Sequence, residues 1–435
     1  MWSKISRNTG SIKPFYESYF LVMKTIKPEH RQIVNILSFS LIPLAGFATD
    51  IYLPSLPSMT VGLHASASQI QLSLLLFMAS AGISQLFVGS LLDSYGRYKL
   101  SNVSLFIFSV ASIMIGLVPD LHVLYIMRIV QGVAASFVLV ARRAYFMDTY
   151  SGEQLKHYTS LFSIIWATAP IVAPFLGGYV QKAFGWQANF YLLGLLPLII
   201  LGLTLKYGGE SAKDLRPLRL KPLIEVYGSV LTTKDFALGL VILGLNYGMV
   251  LLFGMASPFI IEHQWHQTPV VTGYCALVSG VSMMAGGIIS RSMLTTPLEK
   301  KLPMALGIQL ASGACAIIVS MIGMTNIYVM MSFVVLQHGV AGFVFNNLFA
   351  FSLGRFSRNA GIVAGMTGGA SYIISSFSSY GAASFLAVTN QTLLAVAYVF
   401  LNVCVIITYS FFRKEEMAAI KKLRYDINSM SQWRA

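Results

Sequence analysis

Long apolar runs separated by short polar stretches dominate the chain. A helix needs about 20 mainly apolar residues to cross the roughly 30 Å hydrocarbon core of a bilayer. Runs meeting that need fall at 33–55, 69–92, 100–118, 121–142, 158–181, 188–206, 236–257, 270–291, 303–322, 326–350, 360–386 and 391–412. A membrane barrel would instead show alternating segments of about ten residues. The pattern therefore predicts an all-α membrane protein with twelve transmembrane helices.

The polar stretches divide these spans six and six. The longest, 207–235, is charged and carries Pro217 and Pro222. The halves echo each other across it. Gln131-Gly132-Val133-Ala134 in the fourth span returns as His338-Gly339-Val340-Ala341 in the tenth, and Pro54 in the first has a counterpart in Pro258 of the seventh. Two pseudo-symmetric six-helix bundles are expected, at 33–206 and 236–412, joined by a cytoplasmic linker at 207–235. Parallel halves of this kind hold a substrate between them near the bilayer midplane. Residues 1–32 lack the arrangement of a cleavable signal peptide and read as a cytoplasmic N-terminal extension, with 413–435 as a cytoplasmic tail.

Composition narrows the class. Residues are 56% hydrophobic and 11% charged, against about 25% charged in ordinary soluble domains. That excludes a soluble enzyme, a disordered chain and a collagen-like fibre. The net charge of +14 first suggests nucleic acid. With the N-terminus inside, however, every Lys and Arg except Lys182 and Arg128 falls in a cytoplasmic segment. This bias is the positive-inside rule, so membrane lipid is the expected partner and nucleic acid is not. Cys275, Cys315 and Cys404 lie far apart in apolar runs, without metal-ligand spacing, and read as small hydrophobes. No metal is expected.

Four segments carry chemistry. Gly89-Ser90-Leu91-Leu92-Asp93-Ser94-Tyr95-Gly96-Arg97 lies at the turn between the second and third spans. Gly89 and Gly96 permit a tight turn, Asp93 can accept from a helix N-terminus, and Arg97 can pair with a carboxylate. These residues form a gating loop or, on the plainer reading, a solvated turn. Ala48-Thr49-Asp50-Ile51-Tyr52-Leu53-Pro54 places an acid inside the first span. Such an acid costs several kcal/mol unless neutralised, paired or hydrated. Asp50 is thus a proton-coupling candidate; the alternative is a residue at the outer interface, capping a turn. Arg128-Ile129-Val130-Gln131-Gly132 sets Arg128 and Gln131 on one face of the fourth span. Arg128 either faces a cavity, with Asp50 as the obvious partner, or snorkels to the interface. Finally, Ala169-Pro170-Ile171-Val172-Ala173-Pro174-Phe175-Leu176-Gly177-Gly178 gives two small-residue ladders. Pro170, Pro174, Gly177 and Gly178 predict a kinked, closely packed fifth span along which the bundles rock, or packing only.

The first of these segments resembles the loop signature of the major facilitator superfamily, Gly-x-Leu-x-Asp-x-x-Gly-Arg. Together the four resemble its drug:proton antiporter branch, specifically the Bcr/CflA-type multidrug exporters. That group carries Thr-Asp-x-Tyr-Leu-Pro-x-Leu-Pro, Arg-x-x-Gln-Gly and Ala-Pro-x-x-Ala-Pro-x-x-Gly-Gly motifs, the last followed by the Phe-Gly-Trp seen here at 184–186. The matches cover about 45–190. Ala141-Arg142-Arg143-Ala144 and Met147-Asp148 depart from the Ala-Arg-Ala and Arg-Asp pairs usual after the fourth helix. The resemblance implies a secondary transporter exporting small, lipophilic compounds by alternating access. The proton gradient would drive it through Asp50 and Arg128, with no cofactor, in a bacterial inner membrane, with both termini cytoplasmic and a monomer as the working unit. Tyr52, Gln131, Asn246, His338, Asn346 and Tyr372 are candidates for substrate contact, each with a plain interhelical hydrogen bond as its alternative. Proton-coupled uptake, export of a single metabolite or siderophore, and a non-transporting sensor stay open. An enzyme would want clustered acids, histidines or cysteines at one face, and the sequence has none.

Overall fold

The computed structural model describes residues 24–212, 214–215, 217–218, 220–356 and 360–432. Most of the expected N-terminal extension, parts of the linker, Arg358 and the last three residues of the tail lie outside the described residues. Ten described segments are long and apolar enough to cross a membrane: Pro28–Gly62, Ala67–Tyr95, Arg97–Leu117, Leu121–Thr149, Trp186–Tyr207, Lys234–Gln264, Pro269–Ser292, Leu298–Met321, Ile327–Arg355 and Gln391–Met417. Helices Gly152–Phe184 and Ala360–Phe385 occupy the fifth and eleventh places and complete the expected twelve.

Local chemistry sets the turns. Ser66 and Gln69 form a reciprocal capping box that starts the second span, and Asp120 and Asn326 cap the fourth and tenth. Gly96 and Gly185 sit at φ of 88° and 82° between consecutive helices, a backbone shape that glycine alone adopts without strain.

The first span departs from the continuous helix expected for it. It runs as Arg31–Leu41, then Leu44–Asp50, a 3-10 turn at Leu53–Ser55, and Leu56–Gly62. Pro43, Pro54 and Pro57 each withhold an N–H from the helical ladder. Pro54 is the residue whose N–H would have bonded the Asp50 carbonyl, so the break falls directly after Asp50. By contrast Asn246 and Pro258 leave the seventh span helical, and it ends in a π turn at Ile260–Gln264.

In the first half the second span packs on the fourth, the third on the fourth and sixth, and the first on the fifth. In the second half the eighth packs on the tenth, and the twelfth on the seventh and ninth. Two seams join the halves, the second span against the eleventh and the fifth against the eighth. Small residues let these helices meet. A Cβ on Gly82 would come within 2.6 Å of the Gly369 carbonyl, which is the close approach that membrane helices use in place of a hydrophobic drive.

The linker holds a helix that the apolar pattern did not reveal, Leu220–Leu231. It lies on the ends of the seventh and eleventh spans through Val230, Phe236, Leu240, Val363 and Met366, and Tyr227 donates to the Leu86 carbonyl of the second. We call the membrane side carrying this helix the linker face, and the other the far face.

Candidate functional site between the two halves

Arg128 is wholly buried in the first half, so it does not snorkel. Its guanidinium donates to the Ala48 carbonyl at 3.0 Å, Gln131 Oε1 at 2.9 Å, Tyr52 Oη at 3.4 Å and the Ser73 carbonyl at 3.4 Å. The rings of Tyr52 and Phe77 lie 4.7 and 4.3 Å from its Cζ. Cation–π contacts of this kind gain strength when desolvated. Gln131 passes the chain on, donating to Ser112 Oγ at 2.7 Å. Arg128, Tyr52 and Gln131 thus form one closed network.

Asp50 is not part of it. The Arg128 donors end on the carbonyl of Ala48, two residues short, and no ion pair to Asp50 occurs among the described residues. The expected Asp50–Arg128 pairing is therefore absent from this arrangement, in which four neutral acceptors take the guanidinium donors. Asp50 is 7% exposed. It ends its helical segment beside Ile51 and Tyr52, which share one apolar cluster with Tyr247 of the seventh span and Tyr372 of the eleventh. Tyr247 was not singled out in the sequence, where a tyrosine in an apolar run gives no signal.

The polar candidates of the second half separate. Tyr372 belongs to the apolar cluster that crosses between the halves. Asn346 is exposed and donates to the Gly287 carbonyl at 2.9 Å, tying the tenth span to the eighth. Asn246 and His338 are fully buried inside the second bundle. Asn246 donates to Gln309, which also accepts from Asn402 at 2.9 Å. His338 has Nδ1 2.6 Å from Ser279 Oγ and Nε2 2.9 Å from Tyr398 Oη. Both ring nitrogens are engaged. Both lie inside the second bundle, as ties among the seventh, eighth, ninth, tenth and twelfth spans.

At the linker face, Arg97 donates to Asp93 at 2.8 Å and pairs with Asp148 at the end of the fourth span. Glu210, just past the sixth span, does what was expected of Asp93. It accepts from the backbone N–H groups of Arg97 and Tyr98 at 3.1 and 3.0 Å, capping the third span. A short parallel bridge between Thr25 and Glu210 holds Glu210 in place. The turn between the second and third spans is thus bound within its own half. Gly96 supplies the left-handed turn, whereas nothing lies within 4 Å of where a Cβ on Gly89 would be.

The fifth span uses its two ladders on different neighbours. Ala169 and Gly177 meet Gly46 and Ile51 of the first span. Pro170, Pro174 and Gly178 meet Gly280, Gly273 and Pro269 of the eighth. Pro174 has no N–H for the Pro170 carbonyl. That freed carbonyl lies against Gly280, where a Cβ would be 3.0 Å away. The helix runs unbroken from Gly152 to Phe184 through both prolines.

Hydrogen bonds between the halves gather toward the far face. Ser68 of the second span lies 3.2 Å from Tyr380 Oη and 3.0 Å from Ser384 Oγ of the eleventh. Gln71 donates to the Met255 carbonyl at 2.9 Å, and the hydroxyls of Tyr179 and Tyr274 meet at 2.9 Å. These contacts tie the two halves together at that end.

Twelve long helices in two packed halves, with a buried carboxyl at Asp50 that makes no ion pair among the described residues, define a multi-pass membrane bundle. The Major Facilitator Superfamily model matches residues 39–379, and the chain belongs to that family. It is 31% identical over 245 residues to an uncharacterized MFS-type transporter, YdgK, of Bacillus subtilis, a match covering 55% of this chain and 61% of the relative. It is 26% identical to a bicyclomycin resistance protein homolog of Haemophilus influenzae (64% of this chain, 71% of the relative), and 25% identical to the multidrug resistance protein MdtL of Vibrio parahaemolyticus (78% and 86%). In fold it is similar to the nucleoside transporter NupG, with a TM-score of 0.68 at 14% identity over 89% of this chain and 99% of that one. A bacterial homolog of the lysosomal transporter Spinster gives 0.67 at 13% identity, over 91% and 98%. The chain is thus a multi-pass membrane protein of a transporter family with bacterial relatives.

Proposed function

We propose that the protein exports small lipophilic compounds from bacteria in exchange for protons, acting as a transporter and not as an enzyme. Asp50 carries the reading. A carboxyl held away from water with no cation beside it sheds its charge cost by taking up a proton, and regains that charge only where water reaches it. Placed at the seam, it meets a different environment whenever the halves rock. The one-sided Lys and Arg distribution supports a linker face on the cytoplasmic side, so the end closed by the contacts between the halves is the outer one. The drug-resistance names of two relatives support export and a broad substrate range. The proton gradient is the energy source, no cofactor is required, and a single chain suffices.

The test uses inverted vesicles with an imposed pH gradient, loaded through a fluorescent drug panel. Asp50→Asn is expected to abolish proton-driven accumulation while leaving protein level and detergent-extracted monodispersity unchanged. Undiminished coupled transport by that variant would remove Asp50 from the mechanism. Drug release, not accumulation, by the unmodified protein would reverse the direction to uptake.

A further inference from the structure

The eighth and tenth spans meet closely toward the linker face and part toward the far face. A Cβ on Gly286 would collide with the Gly339 carbonyl, and one on Gly342 with the Met283 carbonyl. Nearer the far face the glycines of the eighth span are turned elsewhere: Gly273 and Gly280 lie against Pro174 and Pro170 of the fifth. The eighth span is thus drawn to the tenth at one end and to the fifth at the other. Where it leaves the tenth, a groove of about 610 Å³ opens, within the roughly 300–1,000 Å³ usual for small-molecule sites. Tyr274, Cys275 and Val278, on one face of the eighth span, form one wall. Ile327 and Met331, at the start of the tenth, form the other, and Trp265 closes the group just after the π turn that ends the seventh.

Its surroundings say what fills it. Along the eighth span Tyr274, Val278, Val281 and Ile288 are exposed, and along the tenth Val335 and Leu336. Exposed apolar stripes on membrane-crossing helices are lipid-facing surface. Both walls run on into such stripes, so the groove opens sideways into the bilayer. Among the described residues that line it, none carries a charge, and a buried ammonium or carboxylate would stay uncompensated there. The two amides, Gln267 and Asn326, sit at the rim. Gln267 precedes the eighth span, and Asn326 caps the tenth by accepting from the Val329 N–H at 3.0 Å. Val278 lies nine residues beyond Pro269, roughly 13 Å deeper. Polarity thus falls from rim to floor along the direction of a lipid chain, with amide N–H donors at the level of its ester carbonyls.

We propose that this groove binds one acyl chain of a phospholipid from the leaflet at the far face, with the ester region at Gln267 and Asn326 and the chain running past Tyr274 to Cys275 and Val278. Recognition is of the chain and not of the headgroup, since the lining offers no charge. The hydroxyl of Tyr274 also meets that of Tyr179 across the fifth–eighth seam, so the bound chain lies against a residue that joins the halves. The site goes beyond the transport reading and does not depend on it.

The experiment is photolabelling of the full-length protein in vesicles of phosphatidylethanolamine and phosphatidylglycerol. A small fraction of the phosphatidylethanolamine carries a diazirine in one acyl chain, and adducts are located by peptide mass spectrometry. Ile126 and Ile129 serve as the reference, being exposed on the fourth span at a similar distance from the far face. Labelling of 271–278 and 327–331 is expected to exceed that of the reference several-fold. Val278→Trp, at an exposed position with room for the ring, should lower groove labelling about tenfold or more, because each methylene displaced from an apolar site weakens binding about fourfold. Met331→Trp, on the opposite wall, should do the same, and neither should change the reference. Groove labelling no higher than the reference would mean ordinary bilayer contact and overturn the proposal. So would labelling that persists in both tryptophan variants. Loss of groove labelling alone on adding soluble N-phenyl-1-naphthylamine would make the groove a site for free aromatic compounds and overturn the lipid assignment. Because no gradient is imposed, these outcomes are independent of whether Asp50 couples transport to protons.

Discussion

Arg128 keeps a full charge inside the first half on neutral acceptors: two carbonyls, an amide and a phenol, with two rings beside it. Stability alone does not ask for this. Replacing buried charged groups by apolar residues of similar volume is often neutral, or stabilising by about 1–4 kcal/mol. Against that, the Ala48 carbonyl and Gln131 would each lose a donor, at about 1–3 kcal/mol per orphaned group. The two effects are of similar size and opposite sign. Arg128→Met is therefore expected to leave the thermal unfolding midpoint in detergent within a few degrees, while proton-driven efflux falls to background. A collapse of the midpoint with residual efflux in proportion to folded protein would make Arg128 a structural hub. Gln131 belongs to the same unit, since it links Arg128 to Ser112 and the third span.

At the scale of helices, much was legible and the omissions have physical causes. Length and apolarity are enough to find a membrane span, so all twelve places were readable. The breaks in the first span were not, because three prolines in a long apolar run fix where bonds are lost but not how the neighbouring helices use the gap. The linker helix was hidden by its shortness and its charged setting. Asp50 and Arg128 were visible as charges out of place, yet their failure to pair depends on the Ala48 carbonyl, a backbone acceptor at a position that looks ordinary and apolar, and on Tyr52, whose sequence signal pointed to substrate instead. Glu210 was similarly hidden, being one of several charges in a loop. The small residues were the most telling. Gly82 and Gly280 sit where backbone meets backbone across the two seams, with Gly369 and Pro170 opposite. A valine at either position has no room, because the Gly369 and Pro170 carbonyls, beside Ile373 and Ile171, cannot swing aside. Gly82→Val and Gly280→Val are each expected to pry open the far face. In a cysteine-free background carrying Ser384→Cys, labelling by a membrane-impermeant maleimide from the far side should rise several-fold. Unchanged labelling in both would mean that the seams do not control closure.

For the molecule as a whole, the question is whether the two halves must part at the far face for transport to occur. The contacts that close it are hydroxyl to hydroxyl and amide to carbonyl: Ser68 with Ser384 and Tyr380, Gln71 with Met255, Tyr179 with Tyr274. Neutral hydrogen bonds contribute about 0.5–1.5 kcal/mol each, so a few of them bias the closed form without locking it. Rocking needs bonds of that size, since a ligand or a proton shifts an equilibrium only by its differential affinity for the two states. Ser68 and Ser384 offer a way to lock it deliberately, their Oγ atoms being 3.0 Å apart. With Cys275, Cys315 and Cys404 first replaced by serine, Ser68→Cys with Ser384→Cys is expected to form a disulfide under mild oxidation. The cross-linked protein should lose proton-driven efflux by about tenfold or more, because the bond removes one of the two states that alternating access requires. Binding of a drug from the linker face should persist, since that end of the passage is untouched, and a reducing agent should restore efflux. Efflux at the unmodified rate with the cross-link intact would show that substrate leaves without separation of the second and eleventh spans, and the rocking of the halves would have to occur along the fifth and eighth alone.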